Sequence, residues 1–211
     1  MSTIFKLKMA YMTPLIKLII KYPKLMESKL FLKVMQIFPE KISKSYDRKV
    51  KDEDIQYQEA LAYGLSLIKK EPLKILDLCT GTGFAAFMAL SRFPDALVTG
   101  VDLSPGMIEL AKGKISGSHA ERIRFERGNA AELVYEDEAF DMVITSNAPV
   151  YLEEAVRILK QGGDIIVAYS FGGEAFLNAW NEIRSMLKEN GLDLIHLNRV
   201  GKGATIHGRK R

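Results

Sequence analysis

The stretch ILDLCTGTGFAA, residues 75–86, decides the fold of the chain. An apolar run ends in an acid at Asp77, a short turn carries Gly81 and Gly83, and an apolar helix pattern begins at Phe84. A strand that turns tightly into a helix leaves unpaired backbone N–H groups at the helix start, and these groups favour a polar or anionic ligand group. Glycine in the turn permits a positive φ and a close approach between ligand and backbone.

The same turn also fits a second class of cofactor site. Gly81, Gly83 and Ala86 satisfy the G-x-G-x-x-A fingerprint of dinucleotide-binding folds. However, Asp77 lies four residues before Gly81, where a carboxylate would repel a pyrophosphate and attract an ammonium group. The acid therefore argues against a nicotinamide cofactor, and a nicotinamide-dependent oxidoreductase remains the alternative.

Composition limits the classes of protein that need to be considered. The chain has 211 residues, 47% of them hydrophobic, which is enough for one domain with an appendage. Its single cysteine, Cys79, excludes a disulfide framework, and three scattered histidines predict no metal site. No uncharged run is long enough to span a bilayer, and no signal peptide is recognisable, so the sequence predicts a cytoplasmic protein.

Residues 1–50 differ from the rest of the chain in charge. They carry a net charge of +8, whereas the remaining residues carry −4. Lys17, Lys21 and Lys24 share one face of a predicted amphipathic helix. Three interpretations stay open for this N-terminal helical extension: a helical cap, a lid over a substrate pocket, or docking of residues 1–40 on an anionic membrane surface, which would make the protein peripheral on the inner membrane face. Nucleic acid is a poor partner because arginines are few and are not interleaved with aromatic residues.

Strand and helix patterns alternate from residue 55 onward. The predicted helices are 55–70, 84–92, 106–115, 151–159 and 175–189, and the predicted strands are 73–78, 96–101, 122–126, 140–145, 164–169, 192–200 and 204–207. Ser104 and Pro105 supply an N-cap and a first helical residue, and a glycine pair at 162–163 is expected to terminate the fourth of these helices. The alternation predicts an α/β domain over residues 51–211, with a doubly wound, mostly parallel sheet and helices on both faces.

Polar residues follow the predicted strand ends. Asp77, Asp102, Asn129 and Ser146 each lie at or just after a strand end, and ligands bind beyond the carboxyl ends of such sheets. Asp102 follows Gly83 by nineteen residues, a position from which an acid can accept both ribose hydroxyls. Four polar residues at successive strand ends indicate a ligand site much more strongly than one glycine turn does.

The sequences around these four residues resemble the motifs of class I S-adenosylmethionine-dependent methyltransferases, most closely the ubiquinone/menaquinone-biosynthesis type. ILDLCTGTG resembles the first motif, VTGVDLSPGMIELAK the second, ERGNAAEL the third and FDMVITSN the fourth. The resemblance covers about residues 50–211 and implies a Rossmann-like, seven-stranded sheet whose last strand is antiparallel. Cys79 departs from the family where many members have glycine, and Asn129 where many have aspartate.

The resemblance also implies a cofactor, S-adenosylmethionine, and the residues that would hold it. Asp77 would serve the ammonium group and Asp102 the ribose hydroxyls. Asn129 would meet the adenine edge. The implied cofactor-binding set is Asp77, Thr80, Gly81, Gly83, Asp102, Leu103, Met107, Asn129, Ala130 and Ser146.

The function implied is methyl transfer to a small, apolar or lipid-like acceptor. Such a displacement needs alignment and exclusion of water, so a dedicated base is optional. Tyr46 and Tyr151 are the weak candidates for a catalytic role. A binding protein that holds the cofactor without turnover is a further alternative, because the segment between Asn147 and Tyr151 is short. The sequence does not identify the acceptor or the oligomeric state.

Overall fold

The computed structural model describes residues 54–211 together with Leu18, Lys21, Tyr22, Ser28 and Lys33. Helices and strands alternate along the continuous range. The helices are α1 (Asp54–Ser66), α2 (Phe84–Arg92), α3 (Pro105–Lys112), α4 (Leu152–Ile158), α5 (Gly173–Asn178) and α6 (Trp180–Glu189). The strands are β1 (Lys74–Leu78), β2 (Leu97–Asp102), β3 (Ile123–Arg127), β4 (Phe140–Ser146), β5 (Leu159–Tyr169), β6 (Leu192–Val200) and β7 (Gly203–Lys210).

The strands form one sheet in the order β3-β2-β1-β4-β5-β7-β6. β1 pairs in parallel with both β2 and β4, and the strand order reverses around it. β7 is antiparallel to its two neighbours, so it is the one strand of the seven that runs against the others. The predicted Rossmann-like, doubly wound sheet is therefore confirmed, including its antiparallel last strand.

Alternating side chains of the central strands feed two separate cores. Ile75, Val98 and Ile144 point to the face covered by α1, α2 and α3. Leu76 and Val143 point to the opposite face, which α4 and α6 cover. Because the central strands are buried on both faces, they read in the sequence as continuous apolar runs rather than as alternating ones.

Local signals place most of the element ends correctly. The Ser104 hydroxyl accepts a hydrogen bond from the Met107 amide at 3.3 Å, and Pro105 is the first residue of α3, as the sequence predicts. Gly81 and Gly83 both have positive φ, 55° and 86°. A Cβ on Gly83 would also lie 2.6 Å from the Phe125 ring, so this glycine is required by packing as well as by the turn.

Two of the predicted boundaries are wrong. The glycine pair at 162–163 does not end a helix but lies inside β5, which begins at Leu159 instead of Asp164. Gly162 has a φ of 71° and makes the irregularity at which the β4–β5 register shifts. The predicted helix 175–189 is two helices separated at Ala179, and each contributes a side chain to the core, Phe176 and Ile183.

The connection between β3 and β4, residues 128–139, contains no helix. It is held instead by Arg157 of α4. The Arg157 guanidinium donates to the carbonyls of Leu133 and Tyr135 at 3.0 and 2.8 Å, and to the carboxylate of Glu154 at 2.7 Å. Glu154 also accepts from the Leu133 amide at 2.6 Å. One arginine–carboxylate pair thus fixes the main chain of a segment that has no helix and only one isolated β-bridge, between Asn129 and Glu132.

Most of the predicted extension, residues 1–50, lies outside the described residues, so its helices stay a prediction. Leu18, Lys21 and Tyr22 are exposed, and the Lys21 ammonium lies 5.4 Å from the centre of the Tyr22 ring. Among the described residues, none of the helices combines the length and the apolar composition needed to cross a bilayer.

We expect Arg157→Ala to lower the free energy of unfolding by about 2–4 kcal/mol, because the substitution leaves two main-chain carbonyls and a half-buried carboxylate without their hydrogen-bond donor. The Arg157 hydrogen bond holds the pKa of Glu154 below its usual 4.5, so this stabilisation is present above pH 4.5 and is lost as pH falls below it. Denaturant unfolding at pH 7 and pH 4 measures both effects. Arg184→Ala is the control, since Arg184 is exposed on α6. Equal losses in the two variants would contradict the role of Arg157.

Candidate functional site

The four polar residues predicted at strand ends lie along the edge of the sheet at which the parallel strands end. This edge is called here the carboxyl edge. Strand order places Asn129, Asp102, Asp77 and Ser146 along this edge in that sequence, because they follow β3, β2, β1 and β4. The reversal of strand order at β1 opens a crevice there, the usual place for a ligand in such sheets. The fold therefore brings together residues that are up to 69 positions apart in the chain.

Asp77 is buried at the end of β1, with 1% of its surface exposed. Its Oδ2 accepts a hydrogen bond from the Thr80 hydroxyl at 2.5 Å, whereas its Oδ1 has no hydrogen-bond partner. Burial raises the pKa of Asp77 to about 7, although the Thr80 hydroxyl and the Ala86 amide both lower it. A buried carboxylate oxygen without a donor is costly, and a cationic ligand group would relieve that cost.

Asp102 ties the turn after β1 to the turn after β2. Its Oδ2 accepts from the Gly81 amide at 2.8 Å, and its Oδ1 accepts from the Ser104 amide at 2.9 Å. Burial raises the pKa of Asp102, and these two amides counteract the shift. Each carboxylate oxygen has a second lone pair, so Asp102 can still accept from two hydroxyls of a ligand.

The glycine turn leaves room for a ligand. A Cβ built on Gly81 would meet nothing within 4 Å, so the turn faces open space at this point. Cys79, in the same turn, has a φ of 56°, which is strained for a residue with a side chain. This conformation explains why glycine suits the position better, and burial raises the pKa of the Cys79 thiol.

Asn129 lies in a tight turn after β3. Its Oδ1 accepts from the Ala131 amide at 3.1 Å, which leaves the side-chain NH2 outside that turn, and Ala130 is buried. Leu103 is half-buried, whereas Met107 is buried on α3 and packs against the protein interior. These positions suit an adenine edge and its apolar surroundings.

Ser146 accepts from Asn147 and is part of a link that sequence reasoning missed. Asn147 has a φ of 54°; its Oδ1 accepts from the Ser170 amide at 2.8 Å and its Nδ2 donates to the Ser170 hydroxyl at 2.9 Å. This amide joins the ends of β4 and β5. The signal that could have revealed it is an asparagine directly after a buried strand, a residue type that tolerates left-handed backbone.

The two tyrosine candidates differ in what the structure says of them. Tyr151 is buried, 8% exposed, where its side chain joins the hydrophobic core at the start of α4. Tyr46 lies outside the described residues. The described residues contain no group of three or more His, Cys, Asp or Glu side chains that could hold a metal ion.

Comparisons with known proteins agree with this geometry. The profile of the family described as "Methyltransferase domain" matches residues 75–163. These residues form a methyltransferase domain. The resemblance to class I S-adenosylmethionine-dependent methyltransferases is thereby confirmed over residues 75–163.

Two relatives carry the same name, demethylmenaquinone methyltransferase. The chain is 40% identical to the protein of Lactococcus lactis over 102 residues, which cover 44% of this chain and 40% of that one. It is 33% identical to the protein of Halalkalibacterium halodurans over 146 residues, which cover 64% of this chain and 58% of that one. The chain therefore spans about half the length of these curated relatives.

Solved structures share the fold. A SAM-dependent methyltransferase from Aquifex aeolicus superposes with a TM-score of 0.63 at 18% identity, covering 78% of this chain and 98% of its own. The YcgJ protein of Bacillus subtilis superposes with a TM-score of 0.57 at 19% identity, covering 72% and 97%. At these identities the likeness concerns the fold alone.

The residues at the carboxyl edge fit S-adenosylmethionine. The methyltransferase domain offers it an unpaired buried carboxylate oxygen on Asp77, open space above Gly81 and spare acceptor capacity on Asp102. Asp77 suits the ammonium group by charge and Asp102 suits the ribose hydroxyls by acceptor capacity. The individual contacts stay predictions.

We expect Asp102→Ala to weaken S-adenosylmethionine binding by about 1–3 kcal/mol, the scale of hydrogen bonds to a charged group. Calorimetric titration measures the affinity, and thermal unfolding shows whether the variant keeps its fold. Asp95→Ala removes an exposed acid away from the carboxyl edge and should bind like the wild type. Unchanged affinity in Asp102→Ala would mean that other residues hold the ribose.

We expect the cofactor-free Asp77→Asn variant to be more stable than the wild type at pH 8. At pH 4.5 this advantage should be smaller, by on the order of 1–4 kcal/mol in the free energy of unfolding. The raised pKa means that folding favours the protonated form of Asp77. The stability that Asp77 contributes is therefore fully present below its usual pKa of 3.8 and is lost as the pH rises to about 7. Asparagine does not titrate and escapes this loss. Denaturant unfolding of both proteins at the two pH values measures the difference, and a difference independent of pH would contradict burial of the charge.

Proposed function

We propose that the protein transfers the methyl group of S-adenosylmethionine to a small, apolar acceptor of the quinol type. The observation that carries the proposal is the row of polar groups from Asn129 to Asp77 along the carboxyl edge of a methyltransferase domain. The names of the relatives, demethylmenaquinone methyltransferase, support the class of acceptor.

The residues of the chain would act by binding and orientation. S-adenosylmethionine, when bound, supplies a methyl group that its positive sulfur already activates. Asp77 would hold the ammonium group and Asp102 the ribose, which together fix the direction in which the methyl points. Alignment and exclusion of water account for most of the rate enhancement in such a displacement. No side chain needs to act as a base if the acceptor loses its proton to water.

Apolar and aromatic side chains lie where an acceptor would approach. Tyr169 ends β5 and stacks on Phe176 of α5, with ring centroids 4.5 Å apart and planes 16° from parallel. The Tyr169 hydroxyl donates to the Ala148 carbonyl at 3.0 Å, so the ring is fixed between the ends of β4 and β5. Leu177 and Trp180 nearby are 38% exposed each. Phe176 is buried, so Leu177 and Trp180 are the side chains of this group that an acceptor could reach, and they would suit an apolar ring better than a charged acceptor.

The position of α1 supports a role for residues 1–50 as a lid over the site or as a membrane contact. The Glu59 carboxylate lies beside Gly201, in the turn between β6 and β7. Tyr63, one helical turn later, accepts from Asn198 of β6 at 2.6 Å. Because β6 runs parallel to β5, that turn belongs to the carboxyl edge. The first described residue of this range, Asp54, therefore begins α1 on the side of the proposed cofactor site.

The full chain is expected to methylate demethylmenaquinol, prepared by chemical reduction of the quinone, at the expense of S-adenosylmethionine. Mass spectrometry of the lipid extract would show a gain of one methyl group. Catechol, a hydroxylated ring without an isoprenoid tail, should be a poor acceptor under the same conditions. Cofactor binding without any product from either acceptor would favour a protein that binds S-adenosylmethionine without turnover.

The full chain is also expected to sediment with vesicles that contain anionic phosphatidylglycerol more than with neutral phosphatidylcholine vesicles. Each lysine near the surface contributes about 1 kcal/mol, so the triple variant Lys17→Gln, Lys21→Gln, Lys24→Gln should lose most of the binding. The control replaces Lys69, Lys70 and Lys188, which are exposed on the domain. Equal recovery with both vesicle types would leave the lid as the proposed role.

A further inference from the structure

A cavity of about 630 Å³ lies at the amino ends of β1, β2 and β3, on the sheet face opposite α1, α2 and α3. It opens there because the connection between β3 and β4 has no helix to cover this part of the sheet. The residues that line it are Lys74, Leu97, Val98, Thr99, Ala120, Glu121, Arg122, Ile123, Arg124, Val134, Tyr135, Glu136, Ala139 and Phe140. We call this cavity the β3 groove.

The β3 groove is separate from the proposed cofactor site. β3 has five residues, from Ile123, next to Arg122 at the groove, to Arg127, two residues before Asn129 at the carboxyl edge. At about 3.3 Å per residue, the strand alone separates the two by roughly 17 Å. A ligand in the groove would therefore not touch the glycine turn.

Arg122 has a buried guanidinium nitrogen without a partner. Its Nη1 is shielded from solvent and makes no hydrogen bond. Two acids, Glu121 and Glu136, line the same groove, yet no ion pair joins either of them to Arg122 among the described residues. A buried, unpaired donor on a charged group costs about 1–3 kcal/mol or more, and an anion is the ligand that relieves this cost best.

The neighbouring cations differ from Arg122. Arg124 is already engaged, since its Nε donates to the Thr99 hydroxyl at 3.0 Å and lies 3.1 Å from the Glu126 carboxylate. Lys74 is exposed at the start of β1 and adds a second unpaired positive charge to the lining. The polar end of the groove thus has Arg124, which is already hydrogen-bonded, Arg122, which is not ion-paired among the described residues, and the exposed ammonium group of Lys74.

The remaining walls are apolar. Leu97 is 50% exposed and Val134 is 92% exposed, both unusual for aliphatic side chains in this fold. Tyr135 and Phe140 meet edge to face with centroids 5.0 Å apart, and the Tyr135 hydroxyl donates to Glu126 at 2.7 Å. A volume of about 630 Å³ is within the range of small-molecule sites.

We propose that the β3 groove binds a small amphipathic anion, whose acid group pairs with Arg122 and whose apolar body lies against Leu97 and Val134. The unpartnered Arg122 Nη1 argues for the anion. The exposed aliphatic side chains argue for the apolar body, since an inorganic anion would leave them in water.

Three probes separate these two contributions: 2-naphthalenesulfonate carries both features, inorganic sulfate carries only the charge, and 2-naphthalenesulfonamide carries only the apolar ring. Titrations followed by ¹H–¹⁵N amide shifts of the full chain should show 2-naphthalenesulfonate binding about ten-fold tighter than either of the others. The shifts should centre on Leu97, Thr99 and Arg124. Failure of 2-naphthalenesulfonate to bind, or shifts centred on the glycine turn, would overturn the proposal.

Substitutions test the role of Arg122 directly. Arg122→Gln should reduce the affinity for 2-naphthalenesulfonate to that for the sulfonamide and leave the affinity for S-adenosylmethionine unchanged. Arg184→Gln, an exposed arginine on α6, is the matched control and should bind both like the wild type. Leu97→Glu places a repelling charge at an exposed position and should also abolish binding, which keeps the test valid if Arg122→Gln folds poorly. Wild-type affinity in both groove variants would refute the site.

Discussion

The hydrogen bond from the Gly81 amide to the Asp102 carboxylate joins the glycine turn after β1 to the end of β2. The main chain also links these elements, because the Thr80 amide donates to the Val101 carbonyl of β2 at 3.0 Å, but it is the Asp102 hydrogen bond that reaches Gly81. With it, one carboxylate fixes the open backbone of Gly81 and, through its other oxygen, the first turn of α3 at Ser104. The proposed cofactor site is therefore already arranged in the free protein, which would lower the entropy lost on binding.

The buried carboxylate of Asp77 lowers the stability of the free protein. A carboxylate that is buried with one oxygen unpaired destabilises the free protein once it ionises. Thr80 offsets part of that cost through its hydroxyl. A structural role alone would be served as well by an asparagine, which supports the proposal that Asp77 pairs with a positively charged group on the ligand.

The two faces of the sheet are stabilised by different means. On one face, α1, α2 and α3 cover the strands by ordinary helix packing. On the other, α4 and α6 cover part of the strands, and Arg157 fixes the helix-free connection between β3 and β4 by donating to main-chain carbonyls. The part of the sheet beside this connection stays open as the β3 groove. A missing helix thus makes the domain depend on one arginine and also creates a cavity with an unpaired cation.

The sequence by itself determined the α/β class, the order of the strands along the chain, the glycine turn and the acids at the strand ends. These follow from short-range rules: apolar runs of strand length, helix caps such as Ser104, and glycine where φ is positive. Local reading misjudged the glycine pair at 162–163 and the helix around Ala179. A glycine pair after a helix pattern has the same sequence signature whether it ends a helix or kinks a strand, and pairing with β4 decided between the two.

Only the tertiary structure decided which side chains are left without partners. Asp77 Oδ1 and Arg122 Nη1 look in sequence like any other acid and base of the chain. Their burial depends on strands and connections that are distant in sequence, and the absence of an ion pair depends on distances that no local pattern encodes. The physical reason is that desolvation and pairing are properties of packed neighbours, which the fold alone brings together.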